Sequence, residues 1–94
     1  MTKDKDSRSP RGRGRRNETG SAANMAFGHA VRAIREERGI SQVQLAEATG
    51  FIQSWISHVE RGARNPSWSN VVRLAKGLGV SVAELAAWTE AEPQ

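Results

Sequence analysis

The stretch Gln42–Arg61, QVQLAEATGFIQSWISHVER, constrains the fold of this chain more than any other. It holds two short helical patterns separated by a glycine-containing turn. The first pattern begins after Ser41 and ends near Thr49, with Leu45, Ala46 and Thr49 on one face. Gly50 follows, where a helix C-terminus calls for a residue that accepts left-handed backbone. The second pattern runs from about Ile52 to Arg61, with Ile56 and Val59 on its inner face and Trp55 nearby. Two helices crossing steeply need a small residue where they meet, and Ala46 is placed for that. Neither is long enough to be stable alone, so both must bury their apolar faces on a larger body.

The flanking segments supply that body as further helices. Met25–Arg38 carries Phe27, Val31 and Ile34 at helical spacing, with Asn24 as its N-cap and Gly39 as its stop. His29 falls off that stripe and reads as solvent-facing. Ile40 fills the link to the next helix, and Ser41 with Gln44 forms a capping box. Past the loop Arg61–Pro66, Ser67 caps a fourth helix whose apolar surface is Trp68, Val71, Val72, Leu74, Ala75 and Leu78. Trp68 reads as a lid on the core, Gly77 weakens the last turn, and Gly79 stops the helix. Ser81 and Glu84 make a second capping box for a last helix, where Val80, Val82, Leu85 and Ala86 close the core. Two roles stay open for Trp88, which either packs on its own domain or forms a two-fold contact. No convincing strand is present, so the expected class is all-α.

Charge divides the chain in two. Residues 1–22 hold seven of the fourteen basic side chains and three of the ten acidic ones, so the net charge of +4 resides there and the rest is neutral. Before Ala22 this segment has a single apolar residue, Met1, and cannot bury enough surface to offset its ordering entropy. We read it as a disordered basic arm, with 23–90 as the folded domain and 91–94 as a frayed acidic tail. The run PRGRGRR suits a solubilising or non-specific tail better than a dedicated groove binder, and the tract lacks the aromatics that stack on RNA bases. Cysteine is absent, which removes disulfides and thiolate metal sites. No apolar run approaches the ~20 residues of a membrane span, and the basic N-terminus lacks the apolar segment of a signal peptide. A cytoplasmic protein is the expectation.

The motifs SQVQLAEATG, WISHVERG and NPSWSNVVRLAKGLGVSVAEL, in this order and spacing, resemble the helix-turn-helix of the phage-repressor/Cro-like (XRE) family over about Phe27–Leu85. The resemblance implies a compact five-helix repressor-like domain, whose second helix braces on phosphates and whose third enters the major groove of double-stranded DNA, in a bacterial or phage setting. It implies that Gln42, at the start of the second helix, meets a phosphate, with Arg61, Arg64 and Asn65 in the following loop doing the same. It also implies a structural salt bridge between Arg35 and Glu60. With Ile56 and Val59 facing inward, Gln53, Ser54, Ser57 and His58 are left on the outer face as candidate base contacts. One departure stands out. The family begins this helix with a capping Ser or Thr, and here the residue is Ile52, which has no oxygen to offer. Either the helix starts elsewhere, or Ile52 meets a thymine methyl or a partner.

Catalysis finds no support. His29 and His58 belong to different helices, no nucleophile–base–orienter set can be assembled, and no metal or cofactor site is implied. The first functional expectation is a sequence-specific DNA-binding transcriptional regulator, and homodimers bound to palindromes are a family habit. The alternative is a protein-interaction module of the same fold, an antitoxin or adaptor, kept open by the neutral charge of the domain and by the apolar Ile52 and Trp55.

Overall fold

The computed structural model describes residues 21–92. Within them the chain forms five α-helices and no strands: α1 (Ala22–Glu37), α2 (Gln42–Thr49), α3 (Gln53–Glu60), α4 (Trp68–Leu78) and α5 (Val82–Ala91). The five-helix expectation holds. Of the arm (1–22) and the tail (91–94) expected from the sequence, Ser21 and Ala22 instead cap and begin α1 and Ala91 ends α5, while 1–20 and 93–94 lie outside the described residues.

Four serines start helices by the same chemistry. Ser41, Ser67 and Ser81 each accept a backbone N–H three residues on, at 3.0, 3.3 and 3.0 Å. At Ser41 the box is complete, because Gln44 Oε1 accepts from the Ser41 N–H at 2.8 Å. α1 departs from expectation at its start. Ser21, not Asn24, is the cap, accepting from the Asn24 N–H at 3.1 Å, and the helix begins at Ala22. An alanine pair contributes high helix propensity, which carries α1 one turn further than its apolar stripe suggested.

The core draws on every helix. Val31 and Ile34 of α1, Leu45 of α2, Ile56 and Val59 of α3, Leu74 and Leu78 of α4 and Leu85 of α5 are fully buried in one cluster. Phe27, Ile40, Val80, Val82 and Trp88 close its edges. Trp88 therefore packs on its own domain. Expectations about burial fail at Trp68, Ala86 and Thr49, and Val72 of α4 is exposed as well. Trp68 is 69% exposed and is no lid; from the first turn of α4 it stands at the edge of a groove lined by Phe27, Val71 and Leu85. Ala86 is likewise exposed. Thr49 is only half-buried. Its hydroxyl donates to the Leu45 carbonyl at 2.8 Å and accepts from the Phe51 N–H at 3.2 Å, so it organises the turn and does not fill the core.

Close helix approach depends on two glycines. A β-carbon on Gly28 in α1 would collide with the carbonyl oxygen of Val59 and lie 2.8 Å from that of Glu60. The C-terminal end of α3 thus rests directly on the α1 backbone. Gly77 plays the same part between α4 and α2, since a β-carbon there would come within 2.5 Å of Thr49 Cγ2. Its cost in helix propensity is the condition for that contact, a reason that local reading of α4 does not reveal. Because Val59 and Glu60 offer backbone to Gly28, they cannot yield by changing rotamer. Gly28→Ala should destabilise the domain by about 1–3 kcal/mol or more in urea unfolding.

Candidate nucleic-acid interface

α2 and α3 are joined by a turn that three independent devices hold. Gly50 takes the left-handed conformation (φ 84°) and donates its N–H to the Ala46 carbonyl at 2.8 Å. Arg73 reaches across from α4 and donates through Nη2 to the Thr49 carbonyl at 2.6 Å. The same guanidinium lies 4.2 Å from the centroid of the Phe51 ring, and that ring is 4.4 Å from the Trp55 ring at an interplanar angle of 39°. These contacts set the angle between α2 and α3. Arg73 and Phe51 escaped sequence reasoning because a contact across 22 residues has no periodic signature.

Beneath the turn lies the domain's buried ion pair. Arg35 Nε donates to Glu60 Oε2 at 2.6 Å and Nη2 to Oε1 at 3.0 Å, with side chains only 11% and 4% exposed. A third donation, Arg35 Nη1 to the Ile40 carbonyl at 2.9 Å, ties the pair to the link before α2. The hydrogen bonds that Arg35 donates to Glu60 raise its pKa above the ordinary value, against a smaller opposing effect of burial. The geometry has the bidentate form expected of a strong pair.

Gln42 extends this network to the surface. Its Nε2 donates to Glu60 Oε1 at 3.0 Å, and its Oε1 accepts from Gln53 Nε2 at 3.3 Å. The first residue of α2 thereby connects the buried carboxylate to the first residue of α3. Both ends of the Gln42 amide are engaged. Any anion at this helix start would meet backbone N–H groups first.

The outer face of α3 shows Gln53 and Ser54 exposed, with Ser57 and His58 half-buried. Ser57 accepts a short hydrogen bond from Arg61 Nη1, so these two side chains act together. Arg61, Arg64 and Asn65 are exposed in the loop that follows. The four candidate base readers and the loop cations therefore belong to one continuous surface formed by α3 and its exit. His29 lies apart from it on α1, 3.6 Å from the Glu92 carboxylate. At the N-terminus of α3 the helix does start at Gln53, with Ile52 as an N-cap that makes no side-chain hydrogen bond. Of the alternatives that the sequence left open for Ile52, a shifted helix start is thus removed.

Two short packed helices, a glycine turn between them, and an outward polar face followed by arginines together define a helix-turn-helix. Residues 26–88 match the helix-turn-helix domain family, and the chain belongs to it. It is 39% identical over 61 residues to the immunity repressor of Bacillus phage phi105, an alignment covering 65% of this chain and 42% of that repressor. Among solved structures it is similar to the restriction-modification controller protein C.AhdI from Aeromonas hydrophila, with 39% identity, 68% of this chain and 97% of that one covered, and a TM-score of 0.66. The controller C.Esp1396I, solved as a tetramer with its natural 35 base-pair operator, is 26% identical over 72% of this chain and 90% of its own, with a TM-score of 0.69. No described helix is long and apolar enough to cross a membrane.

The buried pair makes a prediction about stability. Arg35→Ala strands the Glu60 carboxylate in the interior and should cost about 3–5 kcal/mol by urea unfolding. The double replacement Arg35→Met with Glu60→Leu should recover most of that loss, since no charge is then left unpaired. Equal losses in the single and double variants would mean that the hydrogen bonds of the pair themselves, and not a stranded charge, set its contribution.

Proposed function

We propose that this protein is a sequence-specific transcriptional regulator that binds double-stranded DNA, with α3 in the major groove. The observation that carries the reading is the hydrogen-bonded path Arg35–Glu60–Gln42–Gln53, which aims an exposed glutamine from a rigid base at the start of α3. A glutamine held by its carboxamide neighbour keeps one donor and its carbonyl oxygen for the edge of adenine. Ser54, Ser57 and His58 take the remaining base or adjacent phosphate contacts. Backbone N–H groups at Gln42 and the side chains of Arg61, Arg64 and Asn65 hold phosphates and fix the register. Regulation in this form needs no catalysis or cofactor, and the setting is the bacterial or phage cytoplasm.

A second surface supports self-association. Phe27, Val71, Val82, Leu85 and Ala86 line an apolar groove of about 240 Å³, and the exposed Trp68 stands at its edge. α2 and α3 contribute nothing to this lining, so a copy seated there leaves the reading face open. We assign it to a two-fold homodimer on DNA, in line with the tetrameric operator complex of C.Esp1396I. An adaptor or antitoxin role would use the same groove for a different protein.

Selection from a random duplex library should return a motif whose half-sites lie ~34 Å apart. The motif should persist when residues 1–20 are deleted, which places specificity on the helices. Gln53→Ala should change the preferred bases. Arg64→Ala should weaken binding to all sequences alike and lower the logarithmic salt slope by ~1 for each bound copy. Binding that disappears with the first twenty residues, with no motif enriched, would refute the reading and leave a protein-docking module. Trp68→Glu should leave the fold intact and convert dimer to monomer in sedimentation analysis.

A further inference from the structure

Ile52 has no structural task. Its backbone is extended (φ −84°, ψ 151°), its side chain caps nothing, and 69% of its surface is exposed. What positions the start of α3 is supplied elsewhere. The Ile52 carbonyl, which any residue would provide, accepts from the N–H groups of Trp55 and Ile56 at 3.1 and 3.2 Å. Phe51 stacks on Trp55, and Arg73 clamps Phe51 and the Thr49 carbonyl from behind. An aromatic pair and a guanidinium thus brace the helix start, although neither accepts an N–H of its first turn. A branched hydrocarbon there carries two penalties, since it leaves N–H groups uncapped and exposes apolar surface to water. Serine or threonine would avoid both.

The side chain stands one residue before Gln53 and two before Ser54, both exposed on the face of α3 that we assign to the bases. On the floor of the major groove the C5-methyl group of thymine is the apolar group that a side chain can meet. Building on the reading of α3 as the base-reading helix, we propose that Ile52 is a specificity-determining residue that packs against a thymine methyl beside the base read by Gln53. The contact selects thymine over cytosine at that step by removing two apolar surfaces from water together. Specificity at this position then comes from hydrophobic contact, where Gln53 supplies hydrogen bonds.

The test uses the full-length protein and the duplex that it selects from a random library. Each thymine of one half-site is replaced in turn by deoxyuridine, which deletes the methyl and keeps the pairing edge. At one position the wild-type protein should bind about three- to fivefold more weakly, the value of one buried methyl group. Ile52→Ala and Ile52→Ser should bind the thymine and deoxyuridine duplexes within about twofold of each other on the same scale. Ile52→Ser, which restores a capping oxygen, should also raise the melting temperature, so its loss of methyl sensitivity cannot come from unfolding. Wild-type binding indifferent to every replacement, or sensitivity retained in both variants, would overturn the role of Ile52 while leaving DNA reading by α3 intact. A wild-type protein that selects no motif would overturn both.

Discussion

Glu60 is the charged residue that this domain buries most completely among those described, and much of the interface depends on how it is satisfied. A carboxylate taken out of water without partners would be prohibitively costly. Here both oxygens are engaged, by a bidentate Arg35 and by the Gln42 amide. Each partner comes from a different helix, so satisfying one charge fixes α1, α2 and α3 together. Such a pair adds little net stability compared with a hydrophobic substitute of the same volume. What it supplies is geometry. Hydrogen bonds have directions, and through Gln42 those directions reach Gln53 at the surface.

The turn between α2 and α3 is held from the opposite side by different physics. Arg73 combines a hydrogen bond to the end of α2 with a cation–π contact to Phe51, and Phe51 passes the restraint to Trp55. Buried polar contacts on one side and an exposed cation–aromatic stack on the other clamp an eight-residue helix that would not persist in isolation. A reading helix must hold its outward side chains in fixed positions while contributing few of them to the core. Ile56, Val59 and Glu60 are its buried residues, and the rest of its surface remains available.

Packing imposes a matching demand at the other end of α3. The backbone of Val59 and Glu60 meets Gly28 with no room for a side chain between them. That contact sets the depth at which α3 sits, and so how far its outward face projects beyond α2. The groove beside Trp68 belongs to the remaining helices, α1, α4 and α5. One small core thus carries two surfaces of different chemistry, one polar and one apolar, on separate elements.

Much of this was legible in the order of residues. The helix–glycine–helix stretch, the serine caps at Ser41, Ser67 and Ser81, and the core positions Val31, Ile34, Leu45, Ile56, Val59, Leu74, Leu78 and Leu85 follow from local periodicity and capping chemistry. The polar outer face of α3 followed from the same periodicity, and the Arg35–Glu60 pair from family resemblance. Other features were decided only in three dimensions. The extra turn of α1, the exposure of Trp68, the steric reasons for Gly28 and Gly77, the Arg73–Phe51–Trp55 brace and the engagement of Gln42 with Glu60 are all examples. Local sequence carries the period of a helix and the preference of its ends, because both arise within a few residues. Which face is finally covered, and which side chain finds its partner, depends on how helices approach one another, and that is set by contacts between residues far apart in the chain.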